Sequence, residues 1–299
     1  MTENTRCGFI AVVGAPNAGK STLVNQLVGT KVSIVSPKVQ TTRTRVLGIA
    51  LKDQSQIIFV DTPGIFAPKR RLDRAMVHAA WSGAADADLV ALVVDSDRGL
   101  DDDVVRIIEK LKETDRRAVL VLNKIDLVKR ENLLALTSKL DAYGIFDKVF
   151  MVSAQKGDHT DDLLGYFASL LPEGPWHFPE DQVSDMPMRL LAAEITREKL
   201  FQQLHQELPY AATVETDMWQ ERDDGSVRID QTVYIQRESQ KAIVLGKGGH
   251  QIKNIGARAR TELEEILERR VHLFLHVKVK ENWQEQRQHF QGMGLEYDV

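Results

Sequence analysis

Short apolar runs alternate with longer segments of helical period along the first 170 residues. The runs lie at 9–13, 57–60, 119–122 and 149–152. Each run is apolar at successive positions instead of alternating with polar residues, as expected of strands that are covered on both faces. We therefore predict an α/β domain whose mostly parallel, doubly wound sheet carries its functional loops at the carboxyl ends of the strands.

A different order of elements follows residue 188. We predict a helix at 189–208, strands at 211–219 and 227–236, a helical pair around 246–249, and a strand at 271–279. The last strand alternates, with His272, Phe274 and His276 on one face and leucine or valine on the other. This αββααβ order predicts a separate α+β domain.

Proline and acidic residues are dense between the two predicted domains, which favours an extended linker. The predicted boundaries are a first domain at 1–173, a linker at 174–188, a second domain at 189–283 and a tail at 284–299. The tail either packs on the second domain or covers a groove in it.

The loop after the first apolar run fits the phosphate-binding pattern G-x-x-x-x-G-K-[ST]. Its residues are Gly14, Ala15, Pro16, Asn17, Ala18, Gly19, Lys20 and Ser21, and Thr22 continues into a predicted helix. A strand, a glycine-rich turn and a helix start place backbone N–H groups and a helix dipole around an anion. Lys20 would reach the β- and γ-phosphates, and the Ser21 hydroxyl would bind Mg²⁺.

Three further tetrapeptides or pairs follow the other apolar runs in sequence order. Asp61 would bring a carboxylate to Mg²⁺, and the N–H of Gly64 would reach the γ-phosphate. The Asp126 carboxylate would accept two hydrogen bonds from guanine, which adenine cannot donate. Asn123 and Lys124 would brace the base, and Ser153-Ala154 would offer an N–H to its O6 atom. The nucleotide is predicted to be GTP or GDP.

Length and composition agree with two folded domains. The chain has 299 residues, 43% hydrophobic content and a net charge of −4, which is enough apolar material for two cores. Cys7 is the single cysteine, so a disulfide framework is excluded and a reducing compartment is expected. No apolar stretch approaches the ~18 residues of a membrane span, and the first residues lack the apolar core of a signal peptide. We expect a cytoplasmic protein.

The predicted helical pair of the second domain contains a Gly-Lys-Gly-Gly turn. A GXXG turn between two helices is the signature of KH domains, which clamp four single-stranded nucleotides. Residues 241–260 hold five Lys or Arg and no Asp or Glu, against the acidic balance of the whole chain. The candidate RNA-binding residues are Gly246, Lys247, Gly248, Gly249, Ile252 and Lys253. The alternative is a plain helix-to-helix turn with a solvated basic face.

With GAPNAGKS, QTTRTR, DTPG, NKID, SAQ and VLGKGGHQIKNIG in this order, the chain resembles the Era family of bacterial GTPases from about Cys7 to Trp283. The resemblance also covers 194–200 and 207–210. It implies a GTP-hydrolysing switch whose type II KH domain binds the 3′ end of 16S ribosomal RNA and which acts in maturation of the small (30S) ribosomal subunit. It further implies a peripheral association with the cytoplasmic face of the inner membrane, and a monomer is expected.

The family pattern also suggests roles in the switch segments. Gln40 to Arg43 matches switch I, where Thr42 is preferred over Thr41 as the Mg²⁺ ligand, and 63–72 matches switch II. The predicted catalytic set is Lys20, Thr42, Asp61 and Gly64. Ile65 stands where Ras-type GTPases have a water-orienting glutamine. Hydrolysis must then depend on backbone groups, on a partner or on a second cation such as K⁺, for which Asn17 is a candidate ligand. Asn17 could equally hold the loop by hydrogen bonds.

Two other classes of protein compete with the switch. A modifying enzyme driven by GTP would need catalytic residues beyond 189, and no Cys/His pair or paired carboxylates indicate them. An RNA-binding scaffold with an inactive GTPase domain conflicts with the presence of Lys20, Ser21 and Asp61. The scattered His78, His159 and His205 do not predict a zinc site. Basic residues that flank the switches could form a partner surface: Arg43, Arg45, Lys69, Arg70 and Arg71.

Overall fold

The computed structural model of the chain describes residues 5–38, 41–204 and 208–299. Gln40 and His205, which the sequence analysis names, and Glu207, which begins the range 207–210, lie outside the described residues. The described residues form two compact units. The first comprises those within Met1–Val35, Thr42–Asp185 and Phe290–Val299, and the second those within Ser36–Thr41 and Met186–His289.

The first unit is built on a six-stranded sheet. Its strands are β1 (Arg6–Val13), β2 (Val46–Lys52), β3 (Ser55–Asp61), β4 (Leu89–Asp95), β5 (Ala118–Asn123) and β6 (Phe146–Met151). Its helices are α1 (Lys20–Val28), α2 (Arg71–Asp86), α3 (Asp102–Glu113), α4 (Arg130–Asp141) and α5 (Thr160–Leu170). The strand order is β2-β3-β1-β4-β5-β6, and every neighbouring pair is parallel except β2 with β3. The predicted mostly parallel sheet is confirmed.

Helices cover both faces of this sheet. On one face, the apolar side of α3, including Ile107 and Leu111, packs with residues of α2 and α4 against β1, β4 and β5. On the other face, Leu23 of α1 and Phe167 of α5 pack against alternate residues of the same strands. This two-sided burial explains why the strands are apolar at successive positions. In this doubly wound arrangement, the polar loops lie at the carboxyl ends of the parallel strands.

The proline-rich stretch after α5 is extended and packs on the first unit. Trp176 and Phe178 contact a small apolar cluster that includes Cys7 and Leu47. The backbone N–H of Ile49 donates a hydrogen bond to the Val183 carbonyl at 2.8 Å. Residues 174–185 therefore group with the first unit, while the sequence-based boundaries at 173 and 188 stay a prediction.

The second unit has the predicted αββααβ order. Its elements are α6 (Met188–Gln203), β7 (Thr213–Glu221), β8 (Val227–Ile235), α7 (Glu238–Leu245), α8 (His250–Leu267) and β9 (Val271–Val279). Strand β8 pairs antiparallel with β7 and parallel with β9. The three helices cover one face of this sheet with two apolar clusters. A short helix, α9 (Arg287–Gly292), follows, and the chain from Phe290 onwards groups with the first unit. The expectation that the tail packs on the second domain is therefore wrong for residues 290–299.

Several element bounds in this unit differ from the sequence prediction. Strand β7 ends at Glu221 instead of 219, β8 ends at Ile235 instead of 236, and α6 begins at Met188 instead of 189. Helix α6 ends at Gln203 instead of 208, because Leu204 has extended backbone angles (φ −95°, ψ 152°). A helix is also disfavoured immediately before Pro209. Strand β7 begins two residues later than predicted, since Pro209–Ala211 form a 3₁₀ turn. The last strand, β9, has the predicted bounds.

Candidate nucleotide-binding and RNA-binding sites

The loop that joins β1 to α1 contains Gly14 to Gly19 and is fastened to the neighbouring strand ends. Asn123, at the end of β5, donates a hydrogen bond from Nδ2 to the Ala18 carbonyl at 2.9 Å, and its Oδ1 accepts one from the Ala154 N–H at 3.0 Å. Gly19 has φ +92°, and a Cβ there would lie 2.2 Å from Asn123 Nδ2. Only glycine permits this approach, so Asn123 ties together the phosphate-loop motif and the Ser153-Ala154 motif.

Lys20 is the first residue of α1 and is almost fully buried, with 6% of its surface exposed. Its ammonium donates hydrogen bonds to the Gly14 and Ala15 carbonyls, both at 3.1 Å. Burial lowers the pKa of Lys20 to about 8, and the nearby Asp61 carboxylate opposes that effect. A cation at the start of a helix, poorly solvated and bound only to neutral carbonyls, is well placed to exchange them for an anion.

Asp61 lies at the end of β3 with no exposed surface. Its Oδ2 accepts hydrogen bonds from Ser21 Oγ at 2.6 Å and Ser33 Oγ at 2.7 Å. Burial raises the pKa of this carboxyl, although both hydroxyls and Lys20 act in the opposite direction. The Asp61 Oδ1 atom is buried and has no hydrogen-bond partner among the described residues.

The hydroxyls of Ser21 and Thr42 lie 2.8 Å apart, so three oxygen-bearing side chains converge at one point. Carboxylate and hydroxyl oxygens are hard ligands, and Mg²⁺ is typically bound by one or two carboxylates together with other oxygens from protein, phosphate and water. A divalent cation here would also satisfy the unpartnered Asp61 Oδ1 atom. The residues present therefore fit Mg²⁺. Thr41 is engaged elsewhere, with its hydroxyl hydrogen-bonded to Ser36 Oγ and to the Lys38 carbonyl.

The segment after β3 is fixed to the phosphate loop by backbone contacts. The Ile65 N–H donates a hydrogen bond to the Gly14 carbonyl at 3.1 Å, and the backbone of Gly64 lies against Pro16. The Ile65 side chain is 4% exposed and belongs to the same apolar cluster as Ala15. Residue 65 is therefore a core residue in this fold and has no polar atom with which to orient a water molecule.

At the opposite end of the site, two carboxylates are held by neighbouring side chains. Asp126 Oδ1 accepts a hydrogen bond from Ser153 Oγ at 2.8 Å, and this bond lowers the pKa of Asp126. Lys156 lies 3.7 Å from the other Asp126 oxygen. Lys124 forms an ion pair with Asp95 at 2.6 Å. Asp126 is thus held in its ionised, hydrogen-bond-accepting form.

Sequence reasoning missed three residues of this site. Asp95 ends β4 just as Asp61 ends β3, and a carboxylate directly after an apolar run could have identified it. Ser33, which donates a hydrogen bond to Asp61, lies in a loop that contains no motif. Arg98 donates a hydrogen bond to the Pro16 carbonyl at 3.1 Å and pairs with Asp101 at 2.6 Å, so it supports the phosphate loop.

Asn17 has a left-handed backbone conformation, with φ +64°. Asparagine adopts this conformation more readily than most residues, so the turn itself gives one reason for Asn17. The side chain is half-buried beside residues of the phosphate loop. Its backbone geometry is compatible with both alternatives for Asn17, a structural role and cation binding.

The Gly-Lys-Gly-Gly sequence of the second unit forms a tight turn between α7 and α8, as predicted. Gly248 and Gly249 have φ values of +62° and +78°, which side-chain-bearing residues rarely adopt. Lys247 and Gly248 are exposed at the tip, Lys253 is exposed one turn into α8, and Ile252 is half-buried. The structure therefore offers bare backbone and a flexible cation together at one surface.

The basic stripe extends along α8 from this turn. Arg258 and Arg260 are exposed on the helix, whereas Ile255 and Ala259 face the core. Ile243 of α7, one turn before the glycines, is 59% exposed and gives the surface an apolar element. Such a combination of positive charge, glycine backbone and apolar side chain suits single-stranded nucleic acid.

Two other properties bear on the predictions. Among the described residues, no group of three or more His, Cys, Asp and Glu side chains could hold a metal ion. His78 and His159 each lie near one carboxylate, Glu296 at 3.8 Å and Asp162 at 3.4 Å. Within the same part of the chain, none of the helices is both long and apolar enough to cross a membrane.

Comparison with known protein families assigns both units. Residues 9–124 match the family model described as a 50S ribosome-binding GTPase, and residues 207–284 match the KH domain model. GTPase Era from Sinorhizobium medicae is 60% identical over 98% of this chain and 94% of its own length. GTPase Era from Brucella suis is 57% identical, with the same coverage of both chains.

Solved structures agree with these relatives. A variant of Aquifex aeolicus Era bound to GDP and AlF₄⁻ aligns with a TM-score of 0.93 and 39% identity, covering 99% of this chain and all of that one. Era in complex with Mg-GDPNP and nucleotides 1506–1542 of 16S ribosomal RNA aligns with the same TM-score, identity and coverage. Because its relatives match over nearly the whole length of both proteins, this chain belongs to the family of the bacterial GTPase Era.

Proposed function

We propose that this protein is a GTP-hydrolysing switch that binds the 3′ end of 16S ribosomal RNA through its KH domain during maturation of the small ribosomal subunit. The observation that carries the proposal is the pairing of two sites in one chain. A candidate nucleotide site with a buried Lys20 and Asp61 lies in one unit, and an exposed basic GXXG turn lies in the other. The Era relative whose complex contains both GDPNP and 16S RNA supports the same pairing.

We assign the nucleotide contacts by position. The phosphates would be cradled by the backbone from Gly14 to Thr22 and by Lys20, while the Gly64 N–H would reach the γ-phosphate. Mg²⁺ would be held by Ser21, Thr42 and Asp61, and when bound it supplies positive charge that offsets charge developing on the phosphates. The base would be held by Asn123, Lys124, Asp126 and the Ser153-Ala154 pair. The short Ser21–Asp61 and Ser21–Thr42 contacts support this assignment.

Hydrolysis is expected to be slow without an activator, because the residue after Gly64 is the buried, apolar Ile65. A K⁺ ion bound partly by Asn17 could supply charge near the phosphates, as an arginine finger does in other GTPases. Asn17→Gly tests this idea well, since glycine preserves the left-handed backbone of residue 17 while removing its amide. If K⁺ is used, the wild type turns over faster in K⁺ than in Na⁺ buffer and Asn17→Gly loses the difference. Equal wild-type turnover in both buffers contradicts K⁺ use.

The RNA contacts are assigned to the surface around the glycine turn. The glycine backbone of 246–249 would approach the RNA phosphates and sugars, Ile252 would contact a base, and Lys247 and Lys253 would supply charge. The exposure of Lys247 and Lys253 and the positive φ of the last two glycines support this surface. The proposed domain limits are those derived from the sequence, with 189–283 forming the RNA-binding domain.

The central test is binding of a short RNA that copies the 3′ end of 16S ribosomal RNA. The protein is loaded with a non-hydrolysable GTP analogue in one series and with GDP in the other. We expect tight, sequence-selective binding that is stronger in the GTP-analogue series. Binding that is weak and indifferent to nucleotide would refute the coupled switch.

A paired substitution locates the RNA site. Gly248→Asp with Gly249→Asp adds side chains and two negative charges at the turn, so RNA binding should be lost while GTP hydrolysis is retained. Gly225→Asp is the matched control, because Gly225 also has a positive φ (+78°) and open space around it, but lies in the β7–β8 hairpin. Retention of RNA affinity in the double variant would exclude the glycine turn as the RNA site.

Three finer properties are proposed from the family resemblance alone. We expect peripheral association with the inner membrane on its cytoplasmic face, a monomeric state, and otherwise cytoplasmic localisation. Flotation with vesicles of inner-membrane lipid composition tests the first property, and light scattering tests the second. Absence of the protein from the floated fraction would contradict membrane association.

A further inference from the structure

The end of the chain lies along helix α2 of the first unit. Within this tail, Phe290 and Leu295 are only 1% and 5% exposed. The rings of Phe290 and Tyr297 meet edge to face with centroids 5.0 Å apart. The tail is therefore anchored by apolar contacts and brings the sequence Glu296-Tyr297-Asp298 to the surface of the unit.

One face of α2 receives this acidic and aromatic segment. The Arg71 guanidinium lies 4.4 Å from the centre of the Tyr297 ring. Arg74 Nε donates a hydrogen bond to the Val299 carbonyl at 3.5 Å, and His78 Nδ1 lies 3.8 Å from Glu296 Oε2. Residues 71, 74 and 78 are three and four positions apart, so they share one side of the helix.

This face is positively charged for a local reason. Lys69, Arg70, Arg71 and Arg74 are all exposed around the start of α2. The acidic residue among them, Asp73, is buried, and its Oδ2 accepts hydrogen bonds from the backbone N–H groups of Lys69 and Arg70. Its charge is thus used to cap the helix, and two of the exposed cations contact the tail, Arg71 at the Tyr297 ring and Arg74 at the Val299 carbonyl.

The same residues end the segment assigned to switch II. Its first part is fixed by the hydrogen bond from Ile65 N–H to Gly14, and its last part is held by Asp73 on one side and by the Tyr297–Arg71 contact on the other. A movement of switch II that displaces Arg71 must change the contact with Tyr297. The tail can therefore respond to the state of switch II.

We propose that the α2 face of Arg71, Arg74 and His78 is a docking surface for the acidic, aromatic tail of the same chain, and that docking favours the GTP-bound arrangement of the switches. This inference rests on the proposed GTP switch. The tail is docked in the structure in which the Thr42 hydroxyl lies beside Ser21, the arrangement suited to Mg²⁺ and a γ-phosphate. Because linkage is reciprocal, a tail that prefers this arrangement raises the affinity for GTP relative to GDP.

The contacts between the tail and α2 are suited to reversible docking. A cation–π pair, a long hydrogen bond and a His–Glu contact at the surface are individually weak, and Arg71, Arg74 and Glu296 are exposed. Docking should therefore modulate nucleotide preference by a few-fold without being required for the fold.

A double-mutant cycle between Arg71→Leu and Tyr297→Leu tests the docking. The measured quantity is the ratio of dissociation constants for GDP and a non-hydrolysable GTP analogue, with full-length protein. We expect each variant to reduce the preference for the GTP analogue by about fivefold, at the lower end of typical coupling between sites. The double variant should match the single variants, because each substitution removes the same contact.

Tyr143→Leu is the matched control. Tyr143 also forms a cation–π contact in the first unit, with Lys112 at 5.0 Å, but lies at the end of α4. This variant should keep the wild-type ratio. An unchanged ratio in Tyr297→Leu, or effects of Arg71→Leu and Tyr297→Leu that add, would overturn the inference.

The controls separate this inference from the proposed function. A wild type that does not bind GTP at all refutes the nucleotide assignment, whereas normal GTP binding with an unchanged ratio in Tyr297→Leu refutes only the tail. Docking of the tail from a second copy would make the ratio depend on protein concentration. That dependence would also overturn docking within one chain.

Discussion

The nucleotide site and the glycine turn are both assigned to phosphate-bearing ligands, yet they are built in opposite ways. In the nucleotide site, Lys20 and Asp61 are buried, and each interacts with several named atoms. In the glycine turn, Lys247 and Lys253 are exposed, and Gly246, Gly248 and Gly249 have backbone with positive φ. The first site fixes each charge in place, whereas the second presents its cations to solvent.

This difference determines how each site should respond to change. A buried charge that loses its partner costs far more free energy than an exposed one, because solvent cannot replace the partner. Single substitutions should therefore cause large, specific losses at the nucleotide site. At the RNA surface they should cause small, salt-dependent losses that accumulate.

The largest expected effect is a change of base specificity at Asp126. In Asp126→Asn, one of the two acceptors for the guanine N–H groups becomes a donor, while xanthine, with a carbonyl in place of the exocyclic amine, gains a partner. The preference for guanine over xanthine, measured by competition with both triphosphates, should fall by about 10⁴-fold. Asp141→Asn, on the exposed end of α4, is the control. Unchanged preference would mean that Asp126 does not select the base.

The next effect is loss of the phosphate-loop cation. Lys20→Ala should weaken GTP binding by about 100-fold, because a charge-assisted hydrogen bond contributes about 3 kcal/mol. Fluorescence titration with a labelled GTP analogue measures the loss. Lys148→Ala removes an exposed lysine on β6 and should have no effect. Wild-type GTP affinity in Lys20→Ala would contradict the phosphate-loop assignment.

A third prediction concerns pH and the same lysine. The pKa of Lys20 is lowered to about 8 by burial, so its ammonium loses its proton in the free protein as pH rises through that value. Phosphate binding needs the charged form and raises the pKa again. GTP affinity should therefore be constant below pH 8 and fall above it, approaching about tenfold per pH unit.

Calorimetry in two buffers of different ionisation enthalpy tests this prediction. Binding near pH 8.5 should take up a fraction of a proton, and binding near pH 7 almost none at this group. Affinity that stays flat from pH 7 to pH 9 would show that the free site keeps Lys20 fully charged.

The smallest effect belongs to the RNA surface. Lys253→Gln should weaken RNA binding only a few-fold at moderate salt, since solvent already screens the exposed ammonium. The slope of log affinity against log salt should fall by about 0.7, the value for one phosphate contact on single-stranded nucleic acid. Lys148→Ala again serves as the control. A slope unchanged by Lys253→Gln would show that this lysine does not contact an RNA phosphate.

Much of the fold was predictable, because the relevant signals are local. Strands buried on two faces must be apolar at successive positions, and the alternation of β9 reports a sheet with one covered face. The glycine turn could also be predicted from the sequence, because backbone with positive φ strongly favours glycine. The end of α6 was not, because helical periodicity continues to Leu208 while the backbone turns extended at Leu204.

Some residues of the candidate nucleotide site could be predicted from the sequence and others could not. Lys20, Asp61, Asn123 and Asp126 stand in motifs that follow apolar runs. Ser33 and Arg98 do not, and they reach the site only because loops distant in sequence converge at the carboxyl edge of the sheet. Outside the nucleotide site, Lys199 of α6 is also placed by a contact between distant segments. It is largely buried and forms ion pairs with Glu198 and with Glu262 of α8.

The parallel sheet, the preference for guanine, the phosphate loop and the glycine turn could all be predicted from the amino-acid sequence, since they depend on residue types at short, fixed spacing. The family pattern already favoured Thr42 over Thr41, and the structure places Thr42 beside Ser21. Only contacts in the folded protein show that Ser33 supports Asp61 and that the tail lies on α2. Those outcomes depend on contacts between distant segments, which form only when the chain packs its apolar faces.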